Sequence, residues 1–390
     1  MHLKIGNRCA SAIGLTLIVL LFTGCNAMSE TDKENSGYFR ASDRVVFLGD
    51  SITDGDTLPL LIAQALQEAG IAPPTMINAG VGGDTISMMH ARLDRDVFAR
   101  NPSVVLINAG ANDAGRKITS ADYAEDLKAI TDQLDAQSVR VILVTPTSVG
   151  PKHARNRPYL AAYEQAMSDL AGAKDYPIAQ ISRVFCQSAG FDQPRLELLG
   201  GDDLHLDFAG YRVMARTVLD ALAYPQLPVP QQQNLQILPG LIRDWRIRPI
   251  GQKKLPLNAL AVSNLKPQSD AWKAYSLPEP EPVDGWWPDQ ERQRGFAMNV
   301  SKYVGKSKQY LGHAIVESQT DRQVQFNTGG GLSSIWLNGE ELYRQVGWTG
   351  FHAGKERIAA TLKPGINTVV IEFSGSFFLS VMPRAFPSQP

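Results

Sequence analysis

The sequence predicts an α/β segment wound around a parallel sheet, followed by an all-β segment. Three observations predict it. Between residues 44 and 222, short runs rich in Val and Ile alternate with longer stretches of helical periodicity. At Ala223 the composition breaks into AYPQLPVPQQQN, rich in Pro and Gln. Beyond it the helical period fades and turn-punctuated strands take over, the clearest being SSIWLNGEELY with Asn338-Gly339 between two short runs.

The elements follow in order. Strands are expected at residues 45–48, 75–78, 104–108, 139–145 and 178–181. Several are apolar on both faces, which suits strands buried on both sides in a parallel sheet. Helices are expected between them. LPLLIAQALQEAG stops at Gly70. A second helix opens at Ser120 as N-cap, and residues 159–171 and 208–222 complete the set. The α/β segment therefore spans residues 43–223, with a linker at 224–232 and a β-sandwich at 233–390. In the latter, RDWRIRPIG, the Asn338-Gly339 hairpin, KPGINTVVIEF and SFFLSVMP read as strands and turns. All six tryptophans (245, 272, 286, 287, 336 and 348) lie there. Core packing is the plain expectation for them, because a Trp buries a large apolar body. Trp286-Trp287 sits among Pro and acidic residues and is expected at an interface or a substrate surface. An indole plane also suits the apolar C–H face of a sugar ring.

The chain has 390 residues, 44% hydrophobic and 20% charged, as in an ordinary globular protein. Its 38 basic and 39 acidic residues give no footprint for nucleic acid. Lys4 and Arg8 precede an apolar run at residues 12–22, too short to span a bilayer comfortably, and LFTGC follows. This end resembles the lipobox of bacterial lipoproteins, with Phe22 where leucine is usual. The resemblance implies a signal peptide at 1–24, acylation of Cys25 and a polar tether at 25–42. It implies a lipid-anchored place in the bacterial cell envelope, and Asn26 after the cysteine points to the outer membrane. Several acyl chains together hold a membrane stably. Loss of the signal would leave 36 basic against 39 acidic residues and Cys186 as the remaining thiol. An intramolecular disulfide is then impossible, and Cys186 reads as a small buried hydrophobe.

Open α/β sheets bind ligands beyond the carboxyl ends of their strands. GDSITDG follows the first strand, NAGVGGDT the second and GAND the third, while DDLH precedes the last helix. One sheet edge would thus gather Ser51, a glycine-rich turn, Asn112, Asp202 and His205. This set suits nucleophilic acyl transfer. A serine hydroxyl needs a base to take its proton, a histidine supplies one near neutral pH, and a carboxylate orients the ring. The tetrahedral oxyanion needs preorganised N–H donors. The plain alternative is that Ser51 only begins a helix.

The four blocks, over roughly residues 44–222, resemble those of the SGNH hydrolases, the GDSL-like esterases and lipases. The resemblance implies a flavodoxin-like three-layer fold with Ser51, Asp202 and His205 as catalytic residues. It implies an oxyanion hole from the Ser51 and Gly83 N–H groups and the Asn112 amide. Asp203 and Leu206 stand where that family often has glycine and proline, and Asp203 is a rival orienter. WLNGEELY, KPGINTVVIEF and RDWRIRPIG resemble jelly-roll, galactose-binding-like modules of glycan-active bacterial proteins. Together these imply a serine esterase that removes acyl groups, most simply acetyl, from poly- or oligosaccharides. A lysophospholipase, lipase or thioesterase-like activity is the alternative. An anchored glycan-binding protein with an inactive hydrolase segment is another. No metal-ligand spacing, G-x-G-x-x-G or Walker lysine points to a metal or nucleotide cofactor. The basic loop KHARNR, 152–157, is read as a solvated loop that could rim the site.

Overall fold

The structure, a computed structural model, describes residues 37–186, 191–233, 240–251, 257–277 and 295–383. The expected signal, Cys25, most of the tether and the Trp286-Trp287 pair lie outside the described residues. The described residues form one compact unit.

Five strands make the first sheet: β1 (Arg44–Gly49), β2 (Thr75–Gly80), β3 (Val104–Asn108), β4 (Arg140–Val144) and β5 (Ile178–Ala179). Their order is β2-β1-β3-β4-β5, and every pairing is parallel. The parallel, doubly wound sheet expected from the sequence is therefore present. The side-chain period of two sorts each strand between two cores. Val45, Phe47, Val104, Leu106, Ile142 and Val144 face one, with Val46, Leu48, Val105, Ile107, Val141 and Leu143 facing the other. Helices α1 (Ser51–Asp54) and α2 (Thr57–Glu68) follow β1, then α3 (Ile86–Ala91) and α4 (Leu93–Asp96) follow β2. After β3 come α5 (Ala111–Gly115) and α6 (Ser120–Ala136), and α7 (Arg157–Lys174), α8 (Ile181–Phe185) and α9 (Phe208–Ala221) complete the series. Residues of α2, α8 and α9 pack on the first core, and residues of α3, α6 and α7 pack on the second.

Local differences from expectation have local causes. Thr119, not Ser120, caps α6: its side chain accepts the Asp122 N–H from an extended backbone. The last strand is only two residues long, because Ile181 already begins α8. The tether expected to reach residue 42 ends sooner. Phe39 is buried, stacks on Tyr224 and donates its N–H to the Tyr224 hydroxyl. The Pro-rich linker is also pinned: Arg212 donates to Pro230 O at 2.9 Å, and Gln233 donates to Thr57 O at 3.0 Å. Cys186 is half-buried rather than buried, and partial burial raises its thiol pKa.

The second sheet is antiparallel: β6 (Asp244–Gly251), β7 (Lys273–Ser276), β8 (Gln309–Ser318), β9 (Arg322–Leu337), β10 (Glu340–Arg344), β11 (Glu356–Leu362) and β12 (Gly365–Pro383). The order is β10-β9-β12-β8-β6-β7, with β11 also on β9. The β9–β12 register slips between Phe373 and Phe377, where Gly330 and Gly375 take positive φ. The two long strands turn there. Their outer and inner halves close on one core containing Phe326, Ile335, Ile371 and Leu379, which makes the sandwich. The β9–β10 hairpin turns through Asn338 (φ 52) and Gly339 (φ 88), as the Asn-Gly pair predicts. Trp245, Trp272 and Trp336 are buried, whereas Trp348 is 48% exposed. No helix among the described residues is long and apolar enough to cross a membrane.

Candidate active site

Strand order reverses between β1 and β3, so a crevice opens at the carboxyl ends of β1, β2 and β3. Ser51 stands there at the first position of α1. Asp50 caps that helix, its Oδ1 accepting the Ile52 N–H at 3.0 Å. With Asp50 as the cap, Ser51 is left to face the crevice. Burial is the chief reason the Asp50 carboxyl is pushed up to about 7. A second buried residue, Arg92, ties the strand ends. Its guanidinium donates to Gly49 O and Ala79 O at 3.0 and 2.8 Å and to Asp84 and Asp96 at 2.6 and 2.9 Å.

The segment before α9 brings the histidine in. Gly200 N–H donates to His205 O at 2.7 Å, and Asp203 N–H to Gly200 O at 3.0 Å, closing a tight loop. His205 Nε2 then lies 2.8 Å from Ser51 Oγ, and His205 Nδ1 lies 2.6 Å from Asp202 Oδ2. The other oxygen of Asp202 accepts the N–H groups of Leu204 and His205, both at 3.0 Å. Partial burial would raise the Asp202 carboxyl, but the His205 ring and these two N–H groups outweigh it and hold it down at about 2. Asp203 points elsewhere: its Oδ2 accepts the Lys152 N–H at 3.1 Å. Lys152 Nζ also donates to Gly201 O at 2.6 Å, and His153 Nε2 lies 3.1 Å from Asp202 O. The basic loop is therefore a brace for the acid-bearing loop rather than a free rim.

Gly83 has φ +90, open to glycine and strained for other residues, and its carbonyl is held by Arg116 at 2.9 Å. The neighbouring Gly82 N–H is taken by Asp54 Oδ2 at 3.1 Å. Asn112 Nδ2 lies 3.0 Å from Asp84 O and 3.3 Å from Asp50 Oδ2. The structure thus gathers Ser51, Gly83, Asn112, Asp202 and His205 on one edge. No cluster of metal-ligating side chains occurs among the described residues.

Sequence reasoning misses the opposite wall. A cavity of about 260 Å³, mostly apolar, is lined by Ser51, Asp54, Gly55, His205, Leu206, Tyr211, Trp348 and Phe351. The last two come from the β10–β11 connection of the sandwich. Asp54, 5% exposed, holds that connection: its Oδ1 accepts the Phe351 N–H at 2.6 Å and the His352 N–H at 3.0 Å, and it lies 3.0 Å from His352 Nδ1. Gly350 lies flat on β2, where a Cβ would come within 2.7 Å of Gly80 O. The signal in the sequence is slight: a tryptophan in GWTG, between two glycines.

Residues 47–213 match the GDSL-like Lipase/Acylhydrolase family. An arylesterase of Vibrio mimicus is 30% identical over 125 residues, which are 30% of this chain and 62% of the arylesterase. An acetylxylan esterase of Geobacillus stearothermophilus is 23% identical over 214 residues, 47% of this chain and 95% of that protein. Among solved structures, a lipase/acylhydrolase from Enterococcus faecalis is 27% identical with a TM-score of 0.41, covering 48% of this chain and 98% of that one.

Proposed function

We propose that this chain, whose residues 47–213 are a GDSL-like lipase/acylhydrolase segment, is a serine ester hydrolase that removes acetyl groups from poly- or oligosaccharides. The observation that carries the reading is the relay from Ser51 Oγ to His205 Nε2 at 2.8 Å and from His205 Nδ1 to Asp202 Oδ2 at 2.6 Å. In this reading His205 takes the Ser51 proton as the hydroxyl attacks the ester carbonyl. The carbonyl oxygen becomes an oxyanion met by the N–H groups of Ser51 and Gly83 and by the Asn112 amide. His205 returns the proton to the departing alcohol, and a water then cleaves the acyl-enzyme by the same route. Asp202 keeps the imidazole in the productive tautomer and stabilises its charged form.

The acetyl preference has two supports. One relative is an acetylxylan esterase. The cavity at Ser51, at about 260 Å³, falls below the roughly 300–1,000 Å³ of drug-sized ligand pockets. A space of that size suits a short acyl group. Anchoring through an acylated Cys25 in the bacterial outer membrane belongs to the same proposal. The test is acetate release from acetylated xylo-oligosaccharides, set against fatty-acid release from lysophospholipid. Abundant fatty acid with no acetate would overturn the glycan reading.

A further inference from the structure

We infer that Trp348 is the platform on which the sugar ring of the ester stacks, so that the β-sandwich supplies the alcohol subsite of the α/β half. This rests on the esterase reading and deepens it. In that reading His205 must protonate the leaving oxygen, so the alcohol lies on the His205 side of Ser51. The cavity on that side is the one His205 and Leu206 share with Tyr211, Trp348 and Phe351. At about 260 Å³ and open on one side, it has room for a ring at the reacting serine. Trp348 stands at the mouth, 48% exposed, where a glycan could continue outward.

The platform is registered to the reacting centre. A Cβ placed on Gly82 would lie 3.8 Å from Ser51 Cβ and 3.8 Å from Trp348 Nε1, so those two atoms are no more than twice that distance apart. One carboxylate fixes both sides of the cleft: Asp54 Oδ2 takes the Gly82 N–H, and Asp54 Oδ1 takes the Phe351 and His352 N–H groups. The Lys355 ammonium sits 5.5 Å from the centroid of the Trp348 ring and donates to Gly330 O at 3.1 Å. Phe351 stacks on Phe296 at 5.1 Å. The indole is therefore held before any ligand arrives, which lowers the ordering cost of binding.

The experiment compares xylose tetraacetate with ethyl acetate on the full-length chain, because an ethyl group offers no ring to stack on the indole. Trp348→Ala is expected to lower kcat/KM for xylose tetraacetate by roughly ten- to a hundredfold, mainly through KM, on the order of 1.4–3 kcal/mol of lost binding. Ethyl acetate hydrolysis should fall by much less than hydrolysis of the sugar ester, and Trp348→Phe should recover most of the loss. An equal fall for both esters, or none for either, overturns the platform. So does a change confined to acyl-chain preference between ethyl acetate and ethyl butyrate, which would assign the cavity to the acyl group. A wild-type chain that cleaves neither ester removes the esterase reading itself. A wild-type chain that cleaves both, with Trp348→Ala unchanged on the sugar ester, removes only the platform.

Discussion

Asp54 Oδ1 and His352 Nδ1 lie 3.0 Å apart although 298 residues separate them, and both side chains are buried. This contact joins the helix after β1 to the loop that carries Trp348 and Phe351. Asp54→Ala would leave the N–H groups of Gly82, Phe351 and His352 without their acceptor. Buried groups stranded in this way cost about 1–3 kcal/mol each. We expect a total loss on the order of 3 kcal/mol or more, read as a lower denaturant midpoint in urea. Asp54→Asn keeps an acceptor oxygen toward the loop and should lose less. An Asp54→Ala chain as stable as wild type would show that the loop does not depend on this contact.

Ser51→Ala removes the proposed nucleophile and, being half-buried at a helix start, little packing. By comparison with other serine triads, kcat should fall on the order of 10⁴–10⁶. Asn112→Ala should cost roughly 10²–10³, the range for one oxyanion donor. Both are read as acetate release, with circular dichroism to verify the fold. Unchanged turnover in Ser51→Ala would end the catalytic reading.

Much of the Ser51 side is legible in sequence because each of its parts is local. GDSIT, NAGVGGDT and GAND each begin where an apolar run ends, and a doubly wound sheet carries such ends to one edge. DDLH is legible through its resemblance to the SGNH hydrolases, whose spacing of acid and histidine selects Asp202 over Asp203. The aromatic wall is different. Phe351 reaches Asp54 across 297 residues, and no periodicity in either segment encodes that contact. Phe39 is hidden for the opposite reason: a lone aromatic pair in a polar stretch reads as tether until Tyr224 is seen stacked on it. At Thr119-Ser120 two hydroxyl residues compete for one capping position, and only the backbone angles choose between them.

Asp202 and Asp203 are separable by substitution. Asp202 faces the His205 ring, while Asp203 is occupied with the Lys152 N–H. Asp202→Asn should lower kcat by about 10⁴ through the wrong imidazole tautomer. Asp203→Asn should leave kcat within a few-fold. Equal losses from both would sink the assignment of Asp202 as the orienter.

Asp50 makes a prediction about pH. Its side chain is buried beside Ser51, and burial pushes its carboxyl up to about 7 against 3.8 when exposed. The folded chain therefore keeps a proton there that the unfolded chain releases. The favourable contribution is complete below about pH 4 and is lost as pH rises through 7, so stability should fall across that window. Neighbouring Asp113, raised to about 6 chiefly by burial, acts in the same direction, so the two must be separated by substitution. Asn at position 50 has no proton to release and retains an oxygen for the Ile52 N–H. Between pH 5 and pH 8, urea unfolding of wild type should lose on the order of 2–3 kcal/mol more than that of Asp50→Asn. The comparison is of slopes, so any constant offset from the amide, including its contact with Asn112, drops out. Parallel pH profiles for the two chains would mean that Asp50 is ionised in the folded state.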